Sequence, residues 1–209
     1  MTKADFKSTI QKFVIHIESL RESYPIHIQL ISNKIKRLDY QIRKYLDENS
    51  FDKDENTYKI GLDEYKKIKE LLGSISTQKI AYDTFTKGAV ISLITQYDSF
   101  LGDIIRQIFV SNPKILNSSD RTLALNKIME FKSIKNVKEY IVEKEIESVL
   151  RNSHIEQIKW LENKLSIPLR KDFEIWSDFI ELTERRNLFA HNNGKVSDSY
   201  LHNCKNAKV

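Results

Sequence analysis

The stretch W-S-D-F-I-E-L-T-E-R-R-N-L-F-A-H-N-N-G, residues 176–194, decides how this chain is read. Trp176, Phe179, Ile180, Leu182, Leu188 and Phe189 recur at helical spacing and predict an amphipathic helix from Trp176 to His191. Asn192-Asn193-Gly194 predicts its end, because asparagine and glycine tolerate the left-handed conformation that stops helices. Asn187 and His191 stand one turn apart and share a face. Arg186 lies roughly 140° around the helix from His191, and its side chain is long enough to curl back. An arginine can grip a phosphate, and an imidazole that titrates near neutrality can move a proton. The run also has an ordinary explanation. Basic residues in the last turn of a helix complement its dipole and bond its free carbonyls.

Working outward, helices are predicted almost throughout, and the chain reads as all-α. Its 209 residues include only 5 glycines and 3 prolines, which favours long helices over a sheet-and-turn architecture. Ala81 to Val110 reads as one long, largely buried helix that ends before Pro113. Ala4 to Leu20 reads as the first helix, and Pro25 suits the start of a second. Ile28, Ile31, Ile35, Leu38, Ile42 and Tyr45 form a short heptad seam there, read as the face of a helical hairpin in preference to a self-association coiled coil. Asp47 to Asn56 is polar and reads as a loop, followed by a helix from Tyr58 to Leu72. Gly73-Ser74 marks a soft boundary: residues 1–74 form an N-terminal helical hairpin appendage and residues 75–209 a helical domain. Asn117-Ser118-Ser119-Asp120 offers capping side chains ahead of a helix from Arg121 to Phe131. Further helices are expected from Asn136 to about Arg151 and from Ser153 to Leu165, where Ile167-Pro168 breaks the pattern. No strand alternation and no internal repeat is evident.

Composition bounds the function. Hydrophobic residues make up 40% and charged residues 30%, enough to bury a core. The single cysteine, Cys204, excludes an intrachain disulfide, and with His202 it lacks the partner pair a zinc site needs. No secretory leader and no apolar run long enough to span a bilayer is present, which gives a cytoplasmic expectation with no membrane partner. The sequence holds no G-x-x-x-x-G-K-S/T, G-x-G-x-x-G or H-E-x-x-H, so phosphate-loop hydrolysis, dinucleotide cofactors and zinc proteolysis find no support. His16 and His27 read as packed or surface histidines, and His154 as the start of a helix. The net charge of +5 permits a polyanionic partner without requiring one. Lys34, Lys36, Arg37, Arg43 and Lys44 form the densest basic stretch. Its Tyr40 and Tyr45 suit base stacking, but a solvated helix face is the preferred reading.

The segment from Trp176 through Tyr200 resembles the signature helix and following loop of the HEPN superfamily, whose motif is R-x(4–6)-H with a polar residue often directly after the arginine. Here R-N-L-F-A-H at Arg186–His191 matches, with Asn187 in the polar slot, and N-N-G-K-V-S-D-S-Y-L resembles the tail of prokaryotic members. Arg185 fits the looser spacing. The hydrophobic pattern of Ala81–Val110 resembles the core helix against which the motif helix packs, and Asp98 or Asp103 would be its supporting acid. The resemblance covers roughly the C-terminal two-thirds and implies a HEPN-like helical bundle. It further implies a metal-independent endoribonuclease, needing no cofactor and no metal, that acts as a homodimer with a composite active site. His191 would be general base or acid for attack by the RNA 2′-hydroxyl, Arg186 would bind the scissile phosphate, and Asn187 would orient one or the other. Arg185 and Lys195 are candidates for further RNA contacts. Many prokaryotic members are toxins or antiviral effectors of abortive infection, so an antitoxin or sensor partner is expected. Related proteins often continue beyond this tail, which leaves a C-terminal truncation open. The alternative is a non-catalytic HEPN-like module for dimerisation and for binding RNA or a partner protein.

Overall fold

Two long helices, α1 (Phe6–Asn49) and α2 (Leu62–Ser111), dominate the chain in a computed structural model that describes residues 5–54, 57–118, 122–171 and 174–207. The architecture is all-α. Where the sequence predicts two helices divided at Pro25, α1 runs unbroken through it. Half-buried Ile17, Leu20, Tyr24, Ile28 and Ile31 keep helical spacing on both sides of the proline. Pro25 removes one N–H from the ladder, and nearby the His27 ring donates from Nδ1 to the Ser23 carbonyl at 2.7 Å. Asp5 caps the first turn through the Ser8 N–H; Ala4, the expected start, lies outside the described residues.

The chain forms two compact units, Glu18–Ala89 and the remainder. Within Glu18–Ala89, α1 and α2 make a helical hairpin. Ile42, Ile68 and Ile75 are its buried centre, flanked by Ile35, Leu38, Tyr45, Leu46 and Leu71. The heptad seam is therefore a hairpin face, because its apolar positions meet α2 of the same chain. The loop expected at Asp47–Asn56 is instead the end of α1 and a short antiparallel ribbon, β1 (Asp52–Asp54) with β2 (Thr57–Lys59). Charge holds it: Lys59 pairs with Asp52 across the strands at 2.5 Å, and Lys53 reaches back to Asp47 at the end of α1 at 2.6 Å. Gly73-Ser74 does not interrupt α2, contrary to the expected boundary. A Cβ at Gly73 would meet nothing within 4 Å, and the Ser74 hydroxyl bonds back to the Glu70 carbonyl. Of the basic stretch, Arg43 pairs with Asp39 and Lys44 with Glu48 on the surface. Tyr45, half-buried, flanks the hairpin core beneath the Lys67 ammonium, 4.3 Å from its ring centre.

The second unit holds the remaining helices. After α2 come a 3-10 turn (Pro113–Ser118), α3 (Leu125–Met129), α4 (Ile134–Leu150), α5 (His154–Leu165), α6 (Trp176–His191) and α7 (Asp198–Ala207). The helix expected from Arg121 to Phe131 is shorter than predicted; Ser119, Asp120 and Arg121 lie outside the described residues. Leu101, Ile105, Ile108 and Phe109 of α2 pack against Val142, Ile146 and Val149 of α4 and Leu161 of α5. Each set repeats at three- and four-residue intervals, so each helix turns one stripe inward. Gly102 lets α2 and α4 approach closely, since a Cβ there would sit 3.3 Å from Leu150 Cδ1. Among the described residues no helix is long and apolar enough to cross a membrane.

Two interactions at the edges of this core give measurable expectations. Arg106 on α2 donates from Nε and Nη2 to Glu143 on α4, at 2.8 and 2.9 Å. That hydrogen-bonded guanidinium holds the Glu143 carboxyl below its ordinary 4.5, against an opposing effect of burial. A lowered carboxylate stabilises the fold above its unfolded value, and the contribution is lost as pH falls through the depressed folded value. Both side chains are nearly half exposed, so Glu143→Gln should cost only about 0.5–1 kcal/mol near neutrality. In urea unfolding, the difference from wild type should shrink below pH 4.5. Ser153 caps α5 in a capping box with Glu156, as its place before His154 predicts. Ser153→Ala should lower stability by about 1 kcal/mol in the same assay, and Ser153→Asp should restore most of it.

A candidate active site at the end of α6

Helix α6 occupies the predicted bounds, Trp176–His191. Asn193 and Gly194 take the left-handed conformation, at φ 51° and 84°, and the Leu188 carbonyl accepts from the N–H groups of Asn192 and Gly194. The buried stripe differs from the apolar one expected. Ile180, Thr183, Glu184 and Leu188 are buried, whereas Trp176, Phe179, Leu182 and Phe189 are half-buried. Thr183 is accommodated because its hydroxyl donates to the Ile180 carbonyl at 2.8 Å.

The polar side of α6 opens on a cavity of about 400 Å³ between α5, α6, α7 and the turn after α4. Arg186, Asn187 and His191 all line it, together with His154, Glu184 and Tyr200. His191 is exposed on the last residue of the helix, while Arg186 and Asn187 are half-buried. The Arg186 Nη2 donates to Asp98 Oδ2 of α2 at 2.7 Å. The other oxygen of Asp98 lies 3.0 Å from His154 Nε2. One carboxylate thus joins the C-terminal third of α2, the start of α5 and the end of α6. A carboxylate can only accept, so the proton of this imidazole sits on Nε2. The His154 ring is buried, with Tyr97 and Phe179 packed about it at 5.8 and 6.0 Å between ring centres. Burial, and after it the charge of Asp98, push the Tyr97 hydroxyl well above its ordinary range, so it serves here as a neutral wall.

The two acids suggested by sequence separate clearly. Asp98 belongs to the site. Asp103 pairs with Arg106 at 2.6 Å on the exposed side of α2; neither acid lines the cavity itself, and Asp98 joins the site through its bonds to Arg186 and His154. Five residues apart, they face directions about 140° different, so only one can meet α6. Arg185 is also turned away. Its Nε and Nη2 hold Glu181 Oε1, which the Tyr200 hydroxyl reaches at 3.2 Å, so Arg185 helps brace α6 against α7. Lys195 is exposed and outside the cavity lining. Cys204 is buried on α7, and burial raises its thiol above the ordinary value.

Sequence reasoning missed His154, Glu184 and Tyr200. The only available signal for His154 was the Ser-His-x-Glu capping pattern, which places a histidine at a helix start without saying what lies opposite. Glu184 sits within the motif helix, four residues before Leu188 on the same stripe, and its burial was not legible from its type. Among the described residues, no group of three or more His, Cys, Asp or Glu side chains is placed to hold a metal ion. Compared with models of known families, with curated proteins and with solved structures, the chain matches none.

Proposed function

We propose that this chain is a metal-independent endoribonuclease. The observation that carries the reading is the convergence of Arg186, Asn187 and His191, the side chains of R-N-x-x-x-H, on one cavity, with the arginine fixed by Asp98. An arginine offers five N–H donors, and the bond to Asp98 uses one of them. The remaining edge of the guanidinium suits the non-bridging oxygens of a phosphodiester, where charge grows as the phosphorus becomes five-coordinate. RNA brings its own nucleophile. His191 takes the proton from the 2′-hydroxyl, the 2′-oxygen bonds to the adjacent phosphorus, and the bond to the 5′-oxygen breaks. The products are a 2′,3′-cyclic phosphate and a 5′-hydroxyl. Asn187, one turn before His191, orients the imidazole or the phosphate through its amide.

The HEPN resemblance extends the proposal to a cytoplasmic homodimer that acts as a toxin or antiviral effector and is restrained by an antitoxin or sensor. A second reading, a non-catalytic module that dimerises or binds RNA or a partner protein, draws on a different feature. Phe6, Ile10 and Val14 stand one turn apart along α1 with their side chains exposed. The test is incubation of mixed RNA, including tRNA, with the purified chain in excess EDTA, followed by end-group analysis. Cleavage leaving 2′,3′-cyclic phosphate and 5′-hydroxyl ends is expected. Folded protein that leaves every RNA intact favours the binding module.

A further inference from the structure

We propose that His154 is the general acid of this site, the group that gives a proton to the departing 5′-oxygen. The inference rests on the nuclease reading above and deepens it. Phosphodiester cleavage by a 2′-hydroxyl needs two proton transfers, one from the nucleophile and one to the leaving alkoxide, which is a poor leaving group unless protonated. His191 accounts for one of them. Within R-N-x-x-x-H itself no second acid or base is present; α6 also brings the Glu184 carboxylate to the cavity, and the start of α5 brings the His154 imidazole.

The cavity of a single chain already contains a second imidazole. His154 lines the same space as Arg186, Asn187 and His191 although the residue is only 6% exposed. Its placement is fixed from three sides. Ser153 and Glu156 close a capping box around the first turn of α5, which sets the backbone. Tyr97 and Phe179 flank the ring. Asp98 Oδ1 accepts from Nε2 at 3.0 Å, which fixes the tautomer and leaves Nδ1 as the nitrogen for exchange with a ligand. The same carboxylate balances the charge of the ring when Nδ1 also carries a proton, the orienting role that an acid partner plays for a catalytic histidine. Asp98 meanwhile holds Arg186, so the phosphate-binding cation and the proposed proton donor are referred to one carboxylate.

The step balances as written. The 2′-oxygen forms its bond to phosphorus and loses its proton to His191. The P–O5′ bond breaks, its electron pair stays on O5′, and the Nδ1 proton of His154 moves to that oxygen. His191 ends protonated and His154 neutral, and exchange with water restores both.

The test compares two substrates that differ in the need for an acid. A uridylyl-(3′,5′)-adenosine dinucleotide expels an alkoxide, whereas uridine 3′-(4-nitrophenyl phosphate) expels a nitrophenolate that leaves without a proton. His154→Gln should lose about 10²-fold or more in kcat on the dinucleotide, the usual contribution of a general acid, and only a few-fold on the nitrophenyl ester. His191→Ala should lose heavily on both, because each substrate needs the base. The ratio of the two rates within one preparation is independent of the fraction folded, so partial unfolding of the His154 variant does not obscure the result. Equal losses on both substrates, or none on either, would overturn the acid role while leaving the nuclease reading intact. Folded wild type that turns over neither substrate overturns both.

Discussion

Replacing Asp98 with alanine is expected to cost about 3 kcal/mol of folding free energy, the lower end of what removing one partner from a buried ion pair costs. The reason lies in what the carboxylate leaves behind. Its side chain is 26% exposed, and its partners Arg186 and His154 are 21% and 7% exposed. Arg186 already has a buried Nε without a hydrogen-bond partner. Loss of Asp98 would strip the guanidinium of its ion pair and leave the His154 Nε2 proton unpaired against Tyr97 and Phe179. Asp103→Ala is the matched control. It removes a carboxylate from the same helix, but that carboxylate meets Arg106 in solvent, so the expected loss is below about 1 kcal/mol. Urea unfolding of the two variants measures the difference directly. Equal losses would show the Asp98 cluster to be well solvated and would remove the physical basis for treating it as a preorganised site. A double variant, Asp98→Leu with Arg186→Met, should recover the share of the loss that comes from the stranded guanidinium, because a buried pair replaced by apolar groups of like size is often neutral, but not the share from His154, whose Nε2 proton still lacks its acceptor.

This cluster marks the line between what the residues reveal locally and what only packing decides. Helix α6 was legible to its ends, since its apolar spacing and its Asn-Asn-Gly stop are local signals. Pro25 and Gly73 were misleading for the same reason. Each disfavours a helix locally, yet the Ile35–Tyr45 seam packing on Ile68 and Ile75 stabilises the long helices that contain them. The β ribbon escaped notice because its strands are three residues long and their Lys and Asp side chains carry no apolar alternation. At the site, Arg186, Asn187 and His191 could be read as a group because they share one helix. The choice between Asp98 and Asp103 could not, since it depends on the angle at which α2 presents itself to α6. His154, more than thirty residues from the motif, becomes part of the site only once α5 packs beside α6 and Asp98 ties its ring to Arg186.

His191→Ala carries the largest expected effect on activity. Under the nuclease reading it should lower the single-turnover rate of RNA cleavage by about 10²–10⁴, the range for loss of a general base. Its value as a test comes from where the residue sits. His191 is exposed on the last turn of α6, and the helix end is closed by backbone bonds from Asn192 and Gly194 to the Leu188 carbonyl. Truncating the imidazole therefore leaves the cap in place, and the unfolding free energy should stay within about 0.5 kcal/mol of wild type. Arg186→Ala cannot be read so simply. Its expected loss of about 10²–10³ for a missing phosphate-binding donor is mixed with the cost of leaving Asp98 unpaired. Arg186→Lys separates the two, since it keeps a charge beside Asp98 while losing the planar fork that grips a phosphate. Stability close to wild type with cleavage still reduced at least tenfold is the expected outcome for the lysine variant. A His191→Ala protein that cleaves RNA at the wild-type rate would take the imidazole out of the reaction. The motif helix would then be explained by its structural roles alone: a basic residue at a helix end, and an arginine holding α6 to Asp98.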